Sequence, residues 1–237
     1  MRLPGPKRVL FVQHQDDAPP GYAGERLRQH GAQIDVVRAQ DTLPDPLEFD
    51  LIVPLGSDDS AYDDSVPYLD AEHKLLAGAV AADIPVWGIC FGAQLLSRVL
   101  GGEVFPSTEG PEIGWMIVDT SRPELIEPGP WLVWHLDIMA APPGCTAIAR
   151  TRMGTHAYVH GRHIGTQFHP EATTTSARAW ASKYRDSLGQ VGLDYDQMVE
   201  QTDALEDDAR RRAYLLTDRV LEHAGFTVTS QKLRDGP

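Results

Sequence analysis

The chain has 237 residues, 42% of them hydrophobic, and a formal net charge of −13. That is enough apolar material to bury a sizeable core. The acidic balance, with no Lys/Arg-rich run, argues against nucleic acid or an anionic membrane as the main partner. Cys90 and Cys145 are the two cysteines; they make no disulfide framework and fit a reducing cytoplasm. After the basic start Met1–Arg8, the apolar stretch Val9–Val12 is too short for a signal-peptide core and is ended by His14, Asp16 and Asp17. No window approaches the roughly 20 apolar residues of a membrane span, so a cytoplasmic protein is expected.

Short β-branched runs alternate with helical patterns. Val9–Val12 reads as a first strand, followed by a Pro/Gly-rich loop at Ala18–Gly21 and a helix over Glu25–His30 that Gly31 stops. Gln33–Arg38 and Leu51–Leu55 read as the second and third strands. Leu69–Ala82 has helical spacing, with Leu69, Leu75, Leu76, Ala79 and Val80 on one side. Ile84–Ile89 reads as a buried strand, and Phe91–Leu100 as a helix ended by Gly101-Gly102. This rhythm implies a flavodoxin-like, mostly parallel sheet with helices on both faces. From Glu103 to Phe168 the pieces are shorter and extended, with a hairpin at Tyr158–Phe168 turning near Gly161. Ser176–Leu188 and Asp196–Ala224 read as charged helices, and the residues from Thr227 onward as a frayed end. The expected division is one domain over 1–190 and a helical C-terminal extension over 191–237, packed through Leu205, Tyr214, Leu215, Val220 and Leu221.

Gly88-Ile89-Cys90-Phe91-Gly92 lies between a buried strand and a helix. A nucleophile on so sharp a turn needs glycines two residues before and after it, where side chains would collide. The turn points the sulfur outward, the helix N-terminus favours thiolate, and the Phe91 N–H lies where an oxyanion would form. Gly56, in Leu55-Gly56-Ser57 after the third strand, is the candidate second oxyanion donor. The plainer alternative for Cys90 is a buried structural cysteine; its place at a strand-to-helix junction favours the nucleophile. Cys145, in Pro142-Pro143-Gly144-Cys145, has no helix behind it and reads as structural.

A cysteine nucleophile needs a base, and the base needs an orienter. Gln167-Phe168-His169-Pro170-Glu171 supplies both. Pro170 favours an extended backbone at His169, and residues two apart in an extended chain project to one side, so the Glu171 carboxylate is expected beside the His169 imidazole. A solvated Glu on a capped strand end is the alternative without the turn upstream. His156, His160 and His163 crowd the same hairpin, but their spacing fits no common zinc pattern. No metal and no cofactor is expected.

Gly88-Ile-Cys90-Phe-Gly92-Ala-Gln94 and Phe168-His169-Pro170-Glu171 together resemble the class I (triad) glutamine amidotransferases, especially stand-alone members similar to the amidotransferase domain of GMP synthase. The resemblance covers roughly Val9 to Trp180, with further echoes in Glu112-Ile113-Gly114-Trp115 and His135-Leu136-Asp137. It implies a Cys90/His169/Glu171 triad and an oxyanion hole at Gly56 and Phe91. Gln94 would hold the α-amino and carboxylate groups of glutamine, with Ser57 and His135 beside the substrate. It also implies release of glutamate and ammonia through a γ-glutamyl thioester. Ser57 stands where a second glycine is usual, Leu136 where glycine is common, and Thr155-His156-Ala157 in a segment that often carries Gln. These departures bear on the pocket more than on the chemistry.

Two enzymatic functions share this triad. A glutaminase would pass ammonia to an acceptor; since no synthetase domain fits after Glu171, the acceptor site is expected on a synthetase partner chain or is absent. A γ-glutamyl hydrolase or peptidase would release another amine with no partner. A third class, an inactive binding or regulatory protein on the same fold, is opposed by the intact Cys, His and Glu.

Overall fold

The structure, a computed structural model, describes residues 5–228. Strand β1 (Arg8–Gln13) lies between β2 (Gln33–Arg38) and β3 (Leu51–Pro54), parallel to both. Side chains alternate across a strand, and in β1 both sets are fully buried: Val9 and Phe11 face one core cluster, Leu10 and Val12 the other. Only a sheet covered on both faces permits that pattern. The first face is covered by α1 (Gly21–Gln29) and α6 (Tyr195–His223), the second by α2 (Leu69–Ala81) and α3 (Phe91–Val99).

Beyond β3 the ladder is thin. Ile84–Ile89 forms regular strand only over β4 (Trp87–Ile89), joined to β3 through the single bridge Ile52–Val86. Asp83 turns with φ 55° and Pro85 has no N–H to give, so the first half of the expected strand cannot pair regularly. Pro85 still accepts from Ile52 N at 3.1 Å. β4 then runs parallel to β11 (His163–Thr166), and the sheet continues in antiparallel pairs through β10 (Gly154–His160), β9 (Thr146–Thr151), β6 (Glu112–Thr120) and β7 (Gly129–His135). The parallel half is therefore flavodoxin-like and the remainder a curled antiparallel extension. A two-stranded ribbon of β5 (Val104–Pro106) and β8 (Asp137–Met139) lies apart from it.

Three helical expectations are corrected. Helix α1 begins at Gly21, four residues before Glu25, because Gly21 takes φ +43° and brings the helix start against the Glu171 carbonyl, where a Cβ would overlap the oxygen. The helix expected over Ser176–Leu188 is two, α4 (Thr174–Lys183) and α5 (Arg185–Gln190), broken at Tyr184. The buried stripe of α6 runs through Met198, Thr202, Ala209, Ala213, Leu216 and Val220, whereas Leu205, Tyr214 and Leu215 are half-buried. Alanine and threonine carry much of that seam, so hydropathy alone misplaces it by about one residue. The frayed end expected from Thr227 falls mostly on 229–237, outside the described residues. Among the described residues no helix is long and apolar enough to cross a membrane.

Helix α6 is fastened to α1 by charge as well as packing. Arg26 binds Asp218 through Nε–Oδ1 (2.7 Å) and the second nitrogen to Oδ2 (2.6 Å), and His30 Nε2 lies 2.6 Å from Oδ1. Burial pushes the Asp218 carboxyl up, but the His30 and Arg26 bonds outweigh it and hold it below its ordinary 3.8. A depressed carboxyl contributes stability that is complete above the unfolded value and lost as pH falls through the folded one. Asp218→Asn is therefore expected to lower stability by about 2 kcal/mol at pH 7, as for a partly buried, doubly bonded ion pair. The gap to the wild type should close as pH drops below 3.8, read by urea unfolding across pH.

Candidate active site

The site forms where β3, β4 and β11 end side by side. Cys90 follows β4 directly, with its N–H donating to Thr166 O (2.8 Å) at the end of β11. Its backbone turns at φ 52°, ψ −111°, a region L residues rarely occupy. The flanking glycines make this turn fit: a Cβ on Gly92 would overlap the Pro54 carbonyl, and one on Gly88 would meet Ala93 Cα at 2.7 Å. The expected sharp strand-to-helix turn is therefore present. The Phe91 N–H heads α3, where a helix has no carbonyl of its own for it. A Cβ placed on Gly56 would lie 3.0 Å from His169 Cε1 and 3.6 Å from Cys90 Cβ, so Gly56 faces both residues.

Cys90 is 5% exposed, its sulfur 3.8 Å from the Trp134 carbonyl it can donate to and 3.5 Å from Gln167 Nε2. Opposite it stands His169, whose Nδ1 is 2.7 Å from Glu171 Oε1. The two meet as expected but by a different route. β11 ends at Thr166, and residues 167–171 bend and turn rather than extend. Backbone bonds set the turn: His169 N donates to Leu132 O (2.8 Å), and Tyr22 N donates to Glu171 O (3.0 Å). Trp180 packs edge-on against the imidazole at 4.8 Å between centroids. Burial pushes the His169 imidazole down, but the Glu171 carboxylate and the Cys90 sulfur outweigh it and hold its pKa well above the ordinary value. His169 Nε2 is buried and makes no hydrogen bond in this state.

Gly56, Ser57, Cys90, Gln94, His135 and His169 border one cavity of about 590 Å³, while Phe91 and Glu171 lie behind its wall. Ser57 Oγ is engaged by Tyr68 Oη (2.8 Å) and by the Asp59 N–H (3.1 Å). Gln94 Nε2 donates to Asp137 O (3.2 Å) and Gln167 Oε1 (3.1 Å), leaving Oε1 as its other polar atom. The two ring nitrogens of His135 point into protein, at Asp137 O (2.9 Å) and Glu112 Oε2 (3.3 Å).

Several buried polar residues at the site carry no pattern in the sequence. Gln167 is 1% exposed. Glu112 gathers His135, His156 Nε2 (2.8 Å) and Thr151 Oγ1 (3.0 Å). Burial would raise the Glu112 carboxyl, and the His135 and His156 bonds hold it well below the usual carboxylate range. Among the described residues this is the one group whose atoms converge closely enough for a metal, within 4.8 Å; its short contacts are those of hydrogen bonds. His160 and His163 stack apart from it, 6.4 Å between centroids. Under Phe91 a second buried pair, His14 Nε2 and Glu72 Oε2, sits at 2.9 Å with the His14 ring 4.8 Å from Phe91. In the sequence Glu112 and His135 are marked only by the two family echoes and His156 only by its place in the hairpin, while Glu72 and Gln167 carry no role there.

A strained cysteine thus heads a helix on a doubly covered α/β sheet and faces a buried His–Glu pair. Residues 24–183 match the family described as glutamine amidotransferase class-I, and the chain belongs to it. It is similar to the crystal structure of a glutamine amidotransferase from Thermotoga maritima, with TM-score 0.83 and 27% identity over 91% of this chain and 98% of that one. A glutamine amidotransferase from Methylobacillus flagellatus gives TM-score 0.83 and 25% identity over 96% and 98%. Among curated proteins, a glutamine-hydrolysing GMP synthase of Thermomicrobium roseum is 35% identical over 131 residues, 52% of this chain and 24% of that protein. One from Natranaerobius thermophilus is 30% identical over 163 residues, 64% and 31%. The chain thus spans about a quarter to a third of these curated relatives.

The backbone at Cys90 makes a stability prediction independent of chemistry. Glycine is ordinarily the less stable choice against alanine by about 0.5–1 kcal/mol. At φ 52° the order should reverse, with Cys90→Gly more stable than Cys90→Ala by about 1 kcal/mol in thermal unfolding.

Proposed function

We propose that this protein hydrolyses the side-chain amide of glutamine, with Cys90 as nucleophile, His169 as base and acid, and Glu171 as orienter. The observation that carries the reading is the His169 ring. Its Nδ1 is fixed by Glu171 at 2.7 Å, which leaves Nε2, unpaired, at the cavity that Cys90 borders. In this reading His169 takes the Cys90 proton and the thiolate attacks the amide carbon, forming the C–S bond. The oxyanion is held by the N–H groups of Gly56 and Phe91. His169 then gives its proton to the leaving nitrogen as the C–N bond breaks, releasing ammonia and a γ-glutamyl thioester. Water, deprotonated by His169, attacks the thioester; glutamate leaves and the thiol is restored, for a net glutamine plus water to glutamate plus ammonia. Gln94 Oε1 is suited to accept from the substrate α-ammonium, and Ser57 and His135 shape the wall.

In this reading the ammonia passes to a synthetase site outside these 237 residues. Supporting this is the match to one part of longer, glutamine-hydrolysing GMP synthases. A second reading, a γ-glutamyl hydrolase on the same triad, draws support from the cavity. Pockets of about 300–1,000 Å³ take drug-sized ligands, and free glutamine fills only part of the 590 Å³ here.

A glutamine-like diazo-ketone is expected to label Cys90 and spare Cys145, and Cys90→Ala to abolish turnover with the fold retained. His169→Ala should cost about 10²–10⁴ in kcat, and Glu171→Ala less. Turnover surviving in Cys90→Ala would end this reading. The ratio of kcat/KM for a γ-glutamyl dipeptide to that for glutamine separates the two substrates. We expect it below about tenfold, or roughly 1.4 kcal/mol of discrimination; a larger dipeptide preference selects the hydrolase.

A further inference from the structure

The Cys90 sulfur has one side-chain hydrogen-bond donor on it that the mechanism above leaves idle: Gln167 Nε2 at 3.5 Å. A carboxamide can present either its N–H₂ or its oxygen, with opposite effects on a thiolate. Here the choice is dictated at a distance. The Asp137 carbonyl oxygen can only accept, so the Gln94 atom 3.2 Å from it is the nitrogen. That same nitrogen lies 3.1 Å from the Gln167 carboxamide, which must therefore turn its oxygen to Gln94. The Gln167 N–H₂ is then left facing the sulfur. His135 Nδ1 donates to the same Asp137 oxygen at 2.9 Å, and Ser60 Oγ donates to Asp137 Oδ2 at 2.7 Å, so the residue that sets the sense of the chain is itself tied down. The Gln167 backbone is also fixed, its N–H donating to His156 O at 2.8 Å.

We propose that Gln167 is a catalytic residue whose amide N–H stabilises the Cys90 thiolate, and that Gln94 is a positioning residue that sets the Gln167 amide the right way round. The inference rests on Cys90 being the nucleophile. The two contacts of the sulfur divide between its protonation states. The Trp134 carbonyl, 3.8 Å away, can hold only the S–H form. Gln167 can donate to either, and a bond to a charged acceptor is stronger than one to a neutral acceptor. Both amides are buried, Gln167 at 1% and Gln94 at 3% exposed, so water does not supply the lost donor when either is removed. As the proton leaves for His169, the Trp134 contact is lost and the Gln167 bond strengthens. The thiolate therefore has a donor in place before substrate arrives.

The test is the pH dependence of Cys90 alkylation by iodoacetamide in the free enzyme, read peptide by peptide in a mass spectrometer so that Cys145 does not contribute. His169, which faces the same sulfur, stays in place in every variant. Gln167→Met removes the donor at similar size, and the alkylation midpoint should rise by about one unit, which makes alkylation roughly tenfold slower at pH values below both midpoints. Gln167→Glu puts an acceptor against the sulfur and should raise it further. Gln94→Met frees the Gln167 amide to turn and should move the midpoint in the same direction by less. Midpoints unchanged in the Gln167 variants, with the wild-type unfolding temperature, would overturn the proposal. If Gln167→Met does not fold, the midpoints of Gln167→Glu and Gln94→Met decide the same question. Glutamine turnover persisting in Cys90→Ala would instead defeat the nucleophile assignment, which the alkylation midpoint does not measure.

Discussion

The arrangement hangs on one close approach, the first turn of α3 against the carboxyl end of β3. Pro54 O lies where a side chain on residue 92 would be, and Gly92 N in turn donates to Leu55 O at 3.1 Å. With any larger residue there, α3 would stand off from the sheet and Cys90 would lose its place beside Gly56. Close packing fixes the position of the sulfur, and hydrogen bonds then fix what surrounds it. The strained backbone of Cys90 is held by the buried packing around it: Val53, Leu55, Trp87 and Ile89 are fully buried.

Around that point, short-range and long-range contacts divide the labour. His169 and Glu171 are two residues apart, but their geometry is imposed from elsewhere, by Leu132 on β7 and by Tyr22 at the head of α1. The polar atoms of the pocket wall form a connected set in which orientation passes from a backbone carbonyl through two carboxamides to the sulfur. Such a set is worth more satisfied than the sum of its bonds, and costs more when cut, because each freed group is buried.

What is legible in the sequence follows from periodicity and from steric demand. The strands β1, β2 and β3 announce themselves as short β-branched runs and the helices α2 and α3 by 3.6-residue spacing, and Gly88, Gly92 and the intervening Cys90 mark a turn that only small residues allow. The His-Pro-Glu segment is readable as a pair, although by an extended projection that the chain does not use. Glu72 and Gln167 leave no mark and Glu112 only a family echo, because a buried polar residue has no period and its partners, His14, Gln94 and His156, lie 58, 73 and 44 residues away. The thin β3–β4 junction is hidden for the opposite reason: Ile84-Pro85-Val86 is apolar enough to read as strand, while proline and the turn at Asp83 deny it regular pairing.

The bond from Tyr22 N to Glu171 O has a bearing on where this chain can be cut. Tyr22 lies just ahead of the segment matched to the family, residues 24–183, and α1, which it heads, is held down by Arg26 and His30 on Asp218 of α6, well beyond that segment. The anchor of the Glu171 main chain therefore belongs to parts of the molecule that the family match does not include. A fragment trimmed to the matched residues would keep Cys90, His169 and Glu171 in its sequence yet lose the scaffold behind the carboxylate. The smallest autonomous unit that preserves this corner of the site is set by the reach of α6, not by the family match.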